Sequence, residues 1–431
     1  MKIKTVLKVV DGVIINNGSI LSKIRKITID TRKINKNDLF IAINGNNFDG
    51  HDFIEEAIRK GVNAVIVEKD VLIETNIPII KVNSTIEALG KLSKYNREKY
   101  RNIPIIAVTG SCGKTTTKEL ISLVLTQKYN VLKNEGSLNN HLGLPTTLLE
   151  LNNKYDVAVL EMGMNHLNEI SYLSNICLPD YGVITNIGTS HIGLLGNKKN
   201  IFKAKMEILD GMDNGYLIVN GMDKYLKKIK YDKTIKVLNN ITNLKCDFEK
   251  TTFTLNIDNK DYDFVFNVPG KHLIMDVLIA IKVGIMFNVE IDKIIEAISK
   301  YKMIKGRVNI IKKDDLKIIN DSYNSSFESL MGSLDLLNKN DYNIVVLGDI
   351  LELGKHSYKI HKKIAKNIKK RPIDEILTIG TYTKVIKSNH FDNLDDLINY
   401  LNKIIKPNTT ILIKGSAKMN LSKLVDYLVL P

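Results

Sequence analysis

The run Ile103-Pro-Ile-Ile-Ala-Val-Thr109 is apolar without alternation. It passes into Gly110-Ser-Cys-Gly-Lys114-Thr115-Thr116 and then into a segment with Leu120 and Val124 at helical spacing. An uninterrupted apolar run reads as a strand buried on both faces of a parallel sheet. Strand, glycine turn and helix in that order confine the chain to a mostly parallel α/β layer with a phosphate-binding turn at the sheet's carboxyl edge. Gly110 and Gly113 let backbone N–H groups approach phosphate oxygens, and the helix N-terminus adds positive potential. Lys114 neutralises β- and γ-phosphates and Thr115 offers a hydroxyl to Mg2+, so Thr109 to Thr116 is the candidate ATP site, with Ser111 and Cys112 inside the turn. Val108 occupies the place of the first glycine in the longer form of this motif.

A chain of 431 residues needs several cores, and about 150 residues per domain gives three. The apolar runs fall into three α/β blocks, expected at 1–101, 102–307 and 308–431. The first reads as strands Leu39–Ala42, Ala64–Val67 and Ile79–Val82, with helices near Asp52–Lys60 and Ser84–Tyr100. The second adds strands Val157–Leu160, Gly182–Ile187 and Tyr216–Val219, a small antiparallel insertion around Thr252–Phe266, and a helix from His272 to about Phe287. The third carries strands Lys317–Asn320, Tyr342–Leu347, Glu375–Ile379 and Thr410–Ile413 in a Rossmann-like pattern without a Gly-x-Gly-x-x-Gly turn.

Composition removes other classes. Hydrophobic residues at 44% and charged residues at 25% exclude collagen-like and disordered chains. No apolar run approaches the roughly 18 residues that span a bilayer, so no membrane insertion is expected. The first residues lack a signal-peptide pattern, and Cys112, Cys177 and Cys246 form neither a disulfide framework nor a metal cluster. A reducing, cytoplasmic location is the expectation. The net charge of +15 is scattered among Asn and Ile without a basic stripe interleaved with aromatics, so no nucleic-acid partner is indicated.

Glu161 closes the strand at 157–160, where a carboxylate faces a nucleotide across the sheet edge and holds a metal. His191 follows another strand, and Lys205 lies beyond it in Ala204-Lys-Met-Glu207. Each taken alone is an ordinary loop or surface residue; their meaning comes from combination.

The combination resembles the Mur ligases over nearly the whole chain. The first block contributes Asp30-Thr-Arg32 and Asn47-Phe-Asp-Gly-His51. The second contributes the glycine turn, Gly136-Ser-Leu-Asn-Asn-His-Leu-Gly-Leu-Pro145, Glu161-Met-Gly163 with Glu169-Ile170, and Ala204-Lys-Met-Glu207. The third contributes Asp321-Ser-Tyr-Asn324, Leu347-Gly-Asp-Ile-Leu-Glu-Leu-Gly354 and Lys414-Gly-Ser416. Within the family, the third-block motifs resemble the branch that joins D-alanyl-D-alanine to UDP-N-acetylmuramoyl-tripeptide.

That resemblance implies a central ATP-binding P-loop domain flanked by an N-terminal UDP-substrate domain and a C-terminal Rossmann-like domain, acting as a monomer. It implies that Thr31, Arg32, Phe48, Asp49 and His51 serve the UDP region and that Asn139 and Asn140 line the peptide channel. Lys114, Glu161, His191 and Lys205 would be catalytic. Thr115, Glu161, His191 and Lys205 would hold two Mg2+ ions, with Lys205 carbamylated into a carboxylate-like ligand. Asp276, Arg307, Asp321, Tyr323 and Asn324 would contact ATP, while Asp349 and Glu352 would orient the dipeptide or pin a loop. A hinge near Arg307 would let the third domain close on the second.

The chain departs from the family pattern at Asp276, where Asn is usual, at His141 for Glu, Ala417 for Arg and Cys112 for Asn. The Cys112 thiol, between a helix N-terminus and Lys114, is expected to have a lowered pKa and to alkylate readily. Three other readings stay open on sequence: a sister ligase adding one amino acid or a folate polyglutamylating enzyme, a nucleic-acid-driven P-loop ATPase, and a silent muramoyl-peptide binder.

Overall fold

The computed structural model describes residues 1–45 and 48–429; Asn47, which opens one of the first-block motifs, lies outside the described residues. Strands β1 (Val13–Ile14), β2 (Ile27–Thr28), β3 (Leu39–Ile41), β4 (Ala64–Val67) and β5 (Ile79–Lys81) form a sheet in the order β1-β5-β4-β3-β2. All its pairs are parallel except the edge pair β1·β5. The second sheet holds β6 (Ile105–Thr109), β7 (Val131–Lys133), β8 (Val157–Glu161), β9 (Tyr181–Ile184), β10 (Tyr216–Asn220) and β11 (Thr234–Val237). Its order is β11-β10-β9-β6-β8-β7, parallel throughout.

Every residue of β6 is buried, as an apolar run between two helical layers demands. Strand β6 pairs with β9 on one side and β8 on the other. The strand order therefore reverses beside it, and a crevice opens at the carboxyl ends. Strand β9 is shorter than the apolar run suggested, because Thr185 to Ile187 leave the ladder and turn beneath the glycine loop.

The antiparallel insertion is larger than expected. It comprises β12 (Ile241–Cys246), β13 (Thr251–Ile257) and β14 (Lys260–Phe266). Its tip reaches the third domain, where Lys312 bonds Glu249 and Lys317 lies 5.3 Å from the Phe248 ring centre. The last sheet contains β15 (Asn309–Lys313), β16 (Leu316–Asp321), β17 (Tyr342–Gly348), β18 (Glu375–Ile379), β19 (Asn389–Phe391) and β20 (Thr409–Lys414). Its order is β15-β16-β20-β17-β18-β19, with only the β15·β16 hairpin antiparallel. Between the second and third blocks the chain turns at Gly306 (φ +79°) and Val308 (φ +54°). A β-branched residue in the left-handed region is strained, and this strain sits beside Arg307.

One fully buried side chain joins the first domain to the second, beside Ser93 and Asn96, which donate to the carbonyls of Pro145 and of Leu148 and Leu151. Arg97, at the end of the helix Thr85–Lys99, is fully buried. It donates to the carbonyls of Cys177 (2.9 Å), Tyr100 (2.9 Å), Ile103 (2.7 Å) and Leu178 (3.1 Å), and to Asp180 Oδ2 (2.8 Å). Truncation strands these acceptors away from water, so Arg97→Ala should lower stability by about 3–5 kcal/mol. Denaturant unfolding followed by near-UV absorbance checks this, and a loss below about 1 kcal/mol contradicts it.

Candidate functional site

The glycine loop is shaped by the residues that follow β9. Gly110 adopts φ +156°, and a Cβ there would fall 1.8 Å from Thr185 Oγ1. Asn186 clamps the next turn: its carbonyl accepts from Ser111 N–H (3.1 Å), its Oδ1 from Cys112 N–H (3.0 Å), and its Nδ2 donates to the Cys112 carbonyl (3.0 Å). Thr109 Oγ1 donates to the Met162 carbonyl at 3.0 Å. Gly113 (φ +79°) leaves no room for a side chain, since a Cβ would meet Asp276 Oδ1 at 2.6 Å. The helix Lys114–Leu125 starts there, and Lys114 Nζ curls back to the Gly110 carbonyl at 3.1 Å.

Two buried groups beside this loop lack partners. Glu161, 2% exposed at the end of β8, accepts from Asn139 Nδ2 through Oε1 (2.7 Å), while Oε2 is buried with no hydrogen-bond partner. Lys205, 2% exposed on the helix Lys198–Met206, makes no hydrogen bond or ion pair among the described residues. Burial and then the nearby Lys114 push its pKa well down. His191 (φ +60°) places Nδ1 2.9 Å from Glu352 Oε2, misaligned for a hydrogen bond; this contact holds the Glu352 carboxyl below its usual range. Among the described residues no three His, Cys, Asp or Glu side chains converge on one point. The donors present, one free carboxylate oxygen and a threonine hydroxyl at a phosphate-binding turn, suit Mg2+ completed by ligand phosphates and water rather than a closed protein cage.

These elements form one side of a cavity of about 1000 Å³ lined by Ser111 to Thr116, Asn139, Asn140, Glu161, His191 and Asp276, with Arg307, Asp321, Tyr323 and Asn324 across it. The Arg307 guanidinium lies 4.4 Å from the Tyr323 ring centre. Asp321 at the end of β16 pairs with Lys414 at the end of β20 and accepts from Ser333 Oγ; Lys414 Nζ also donates to the Asn324 carbonyl at 3.1 Å. Asp276 accepts from Thr117 Oγ1 at 3.0 Å, and burial raises its pKa to about 7. His272 in the same wall is pushed down to about 4 by burial, so it is neutral.

Other candidates stand apart from the cavity. Thr31 and Arg32 follow β2, and Phe48, Asp49 and His51 follow β3, at the carboxyl edge of the first sheet. Arg32 is exposed and forked onto Asp30 (2.9 Å twice), and Phe48 is exposed. His51 is buried: Nε2 accepts from Glu68 N–H (3.1 Å), which assigns the ring proton to Nδ1 and its 2.6 Å bond to Asp49. Both nitrogens are occupied, so His51 pins the turn instead of meeting a ligand. Asp49 is held well below the carboxylate range by Lys69 and the His51 N–H.

Of the two roles left open for Asp349, its contacts favour the second: it is buried and accepts from the N–H groups of Thr381, Tyr382 and Thr383 at 2.8–2.9 Å, so it pins a loop. Cys112 overturns the expectation of a reactive thiolate. It sits 3.0 Å from Ser326 Oγ, and burial raises its pKa, outweighing Lys114.

Sequence reasoning gave no role to Thr185, Asn186, His272, Ser326, Glu328 or Lys414. Lys414 opens the Lys414-Gly-Ser416 motif and is the last residue of β20, and Asn186 lies two residues past β9. Glu328 arrives through tertiary contact and carries no local signal. The high Asp276 pKa favours the folded state below about pH 4. That contribution is lost as pH rises through about 7. Replacing Asp276 with Asn should therefore raise stability relative to the parent progressively from pH 5 to pH 8; thermal melts with parallel pH profiles would contradict this.

Family models cover most of the chain: the Mur ligase family catalytic domain at residues 23–100, the Mur ligase middle domain at 108–284, and the Mur ligase glutamate ligase domain at 306–417. The UDP-N-acetylmuramoyl-tripeptide–D-alanyl-D-alanine ligase of Buchnera aphidicola subsp. Baizongia pistaciae is 36% identical, over 94% of this chain and 92% of the relative. A MurF crystal structure from Acinetobacter baumannii superposes with a TM-score of 0.93 at 28% identity, covering 99% of this chain and 98% of that one. MurF from Thermotoga maritima, solved in complex with ADP, matches with a TM-score of 0.85 at 25% identity, covering 93% and 96%. With this identity sustained over nearly the full length and all three family domains matched in order, the chain belongs to the Mur ligase family.

Proposed function

We propose that this chain joins D-alanyl-D-alanine to UDP-N-acetylmuramoyl-tripeptide at the expense of ATP, giving the pentapeptide precursor of peptidoglycan. The observation that carries the reading is the single cavity in which the glycine loop, the half-free Glu161 and the third domain's Arg307, Tyr323 and Asn324 face one another. The relatives' names supply the substrates, and the ADP-bound neighbour supports nucleotide at the loop.

The reaction runs in two steps. The peptide's terminal carboxylate attacks the γ-phosphorus, forming an O–P bond and releasing ADP. The neutral amine of the dipeptide then attacks the acyl carbon, and phosphate leaves from the tetrahedral intermediate. Lys114 and the loop N–H groups offset charge on the transferring phosphoryl group, and positioning does the rest. Thr115 and Glu161 would hold Mg2+, with His191 beside a second ion; when bound, the metal polarises the phosphoryl oxygens. Asn139 fixes Glu161 through its 2.7 Å bond and opens the channel for the peptide with Asn140. Arg32 and Phe48, open at the edge of the first sheet, suit the uridine diphosphate end.

Lys205 fits the carbamate reading because a buried, unpaired amine with lowered basicity can add CO2, losing one proton and gaining the negative charge that the site lacks. ATP and the UDP-linked substrate place the reaction in the cytoplasm. Among the described residues no helix is long and apolar enough to cross a membrane. The cavity is completed within one chain, which suits a monomer.

An ADP-release assay with UDP-muramoyl tripeptide should respond to D-alanyl-D-alanine and not to single amino acids; the reverse would assign a sister ligase. Lys114→Ala should lower turnover by at least about 100-fold, and wild-type speed in that variant refutes the phosphate site. Incubation with 13C-bicarbonate should yield a carbamate carbonyl resonance that Lys205→Arg abolishes. Its absence from active enzyme rejects the modification.

A further inference from the structure

Glu328 opens the helix Phe327–Leu334 of the third domain, yet its carboxylate is bonded to the second. Oε2 accepts from Thr189 N–H at 3.0 Å and Thr189 Oγ1 at 2.7 Å, and Oε1 lies 3.1 Å from Lys198 Nζ. A Cβ on Gly188 would come 3.0 Å from the same carboxylate, so the glycine allows the approach.

The two elements it grips carry the site. The 185–191 segment holds Asn186, which clamps the glycine loop; Ser190, whose Oγ donates to the Ser111 carbonyl at 3.1 Å; and His191. Lys198 opens the helix that carries Lys205. Next to Glu328, Ser326 touches Cys112. The Glu328 contacts to Thr189 and Lys198 and the Ser326 contact to Cys112 cross the seam and are lost if the third domain swings away, which leaves the 185–191 segment held from its own domain alone.

We infer that Glu328 is a positioning residue: docking of its carboxylate onto Thr189 and Lys198 sets the glycine loop, His191 and Lys205 for phosphoryl transfer only when the third domain is closed. The inference rests on the ATP-ligase reading above. A mispositioned loop leaves nucleotide bound but poorly aligned, so the loss should fall on kcat more than on KM for ATP.

The test uses the full chain with Glu328→Ala, Glu328→Gln and Lys198→Met, measured by steady-state ligation and by amide hydrogen exchange without substrates. Glu328→Ala should lose about 10–100-fold in kcat with a much smaller change in KM for ATP, and exchange should rise in 185–191 while β6 and β8 stay protected. Glu328→Gln keeps an acceptor for Thr189 and should recover part of the loss. Lys198→Met removes the pair from the other side and serves if the alanine variant does not fold. A kcat within about twofold of the parent, or unchanged exchange in 185–191, overturns the inference. Absence of ADP release by the parent enzyme refutes the ligase reading instead, and the exchange comparison then still decides whether Glu328 docks the segment.

Discussion

Two lysines that pair with no carboxylate among the described residues govern the centre of this molecule. Lys114 closes on its own loop, and Lys205 lies buried nearby with no counterion among the described residues. A buried ammonium without a partner sheds its proton or acquires an anion. The fold therefore holds open a loop whose lysine is balanced only by something that arrives, as phosphate oxygens would do. Glu161 is the complementary half, a buried carboxylate with one oxygen unused. Cation-loving and anion-loving groups that do not satisfy each other leave room for a metal and a triphosphate between them.

The architecture delivers these groups through the sheet. Parallel strands all end on the same edge, so Thr109, Glu161 and Thr185 are neighbours although they are far apart in sequence. The last sheet repeats the device: β16 and β20 end at Asp321 and Lys414, whose pairing anchors the segment that carries Tyr323 and Asn324 into the same cavity. Asp276 shows the consequence of bringing a helix N-terminus beneath the glycine loop. It lies so close to Gly113 that its carboxyl is desolvated and its pKa rises to about 7.

What could be read from sequence follows from this division between local and long-range causes. The strands at 39–41, 64–67, 105–109 and 157–161 were legible because buried parallel strands are almost continuously apolar. The short edge strands β1, β2, β7 and β19 were not, since an edge needs pairing on one side only and two or three residues carry no period. Glycine-loop residues were legible because their chemistry is local. The family resemblance made His51 a ligand contact and left Asp349 with two roles, and only the backbone N–H groups of distant segments reveal that both act as pins. Cys112 misled for a related reason: the loop and Lys114 argue for a thiolate, but Ser326 from another domain covers the sulfur and burial wins.

The two domain seams differ in kind, and the difference sets what can move. Arg97 binds the first domain to the second through three carbonyls and a carboxylate in a fully buried position. Opening that seam would strip donors and acceptors that water cannot reach until the domains have parted. The seam between second and third domains has apolar contact too, in a cluster that includes Ile192, Leu195, Leu330 and Leu353. Its polar contacts, however, are half open: side-chain exposure is 32% for Glu328, 35% for Lys198 and 53% for Glu352. Water can replace each as it breaks, so separation is gradual and its cost is modest. A fixed first seam and an exchangeable second one would keep the first domain registered against the glycine loop if the third domain moves.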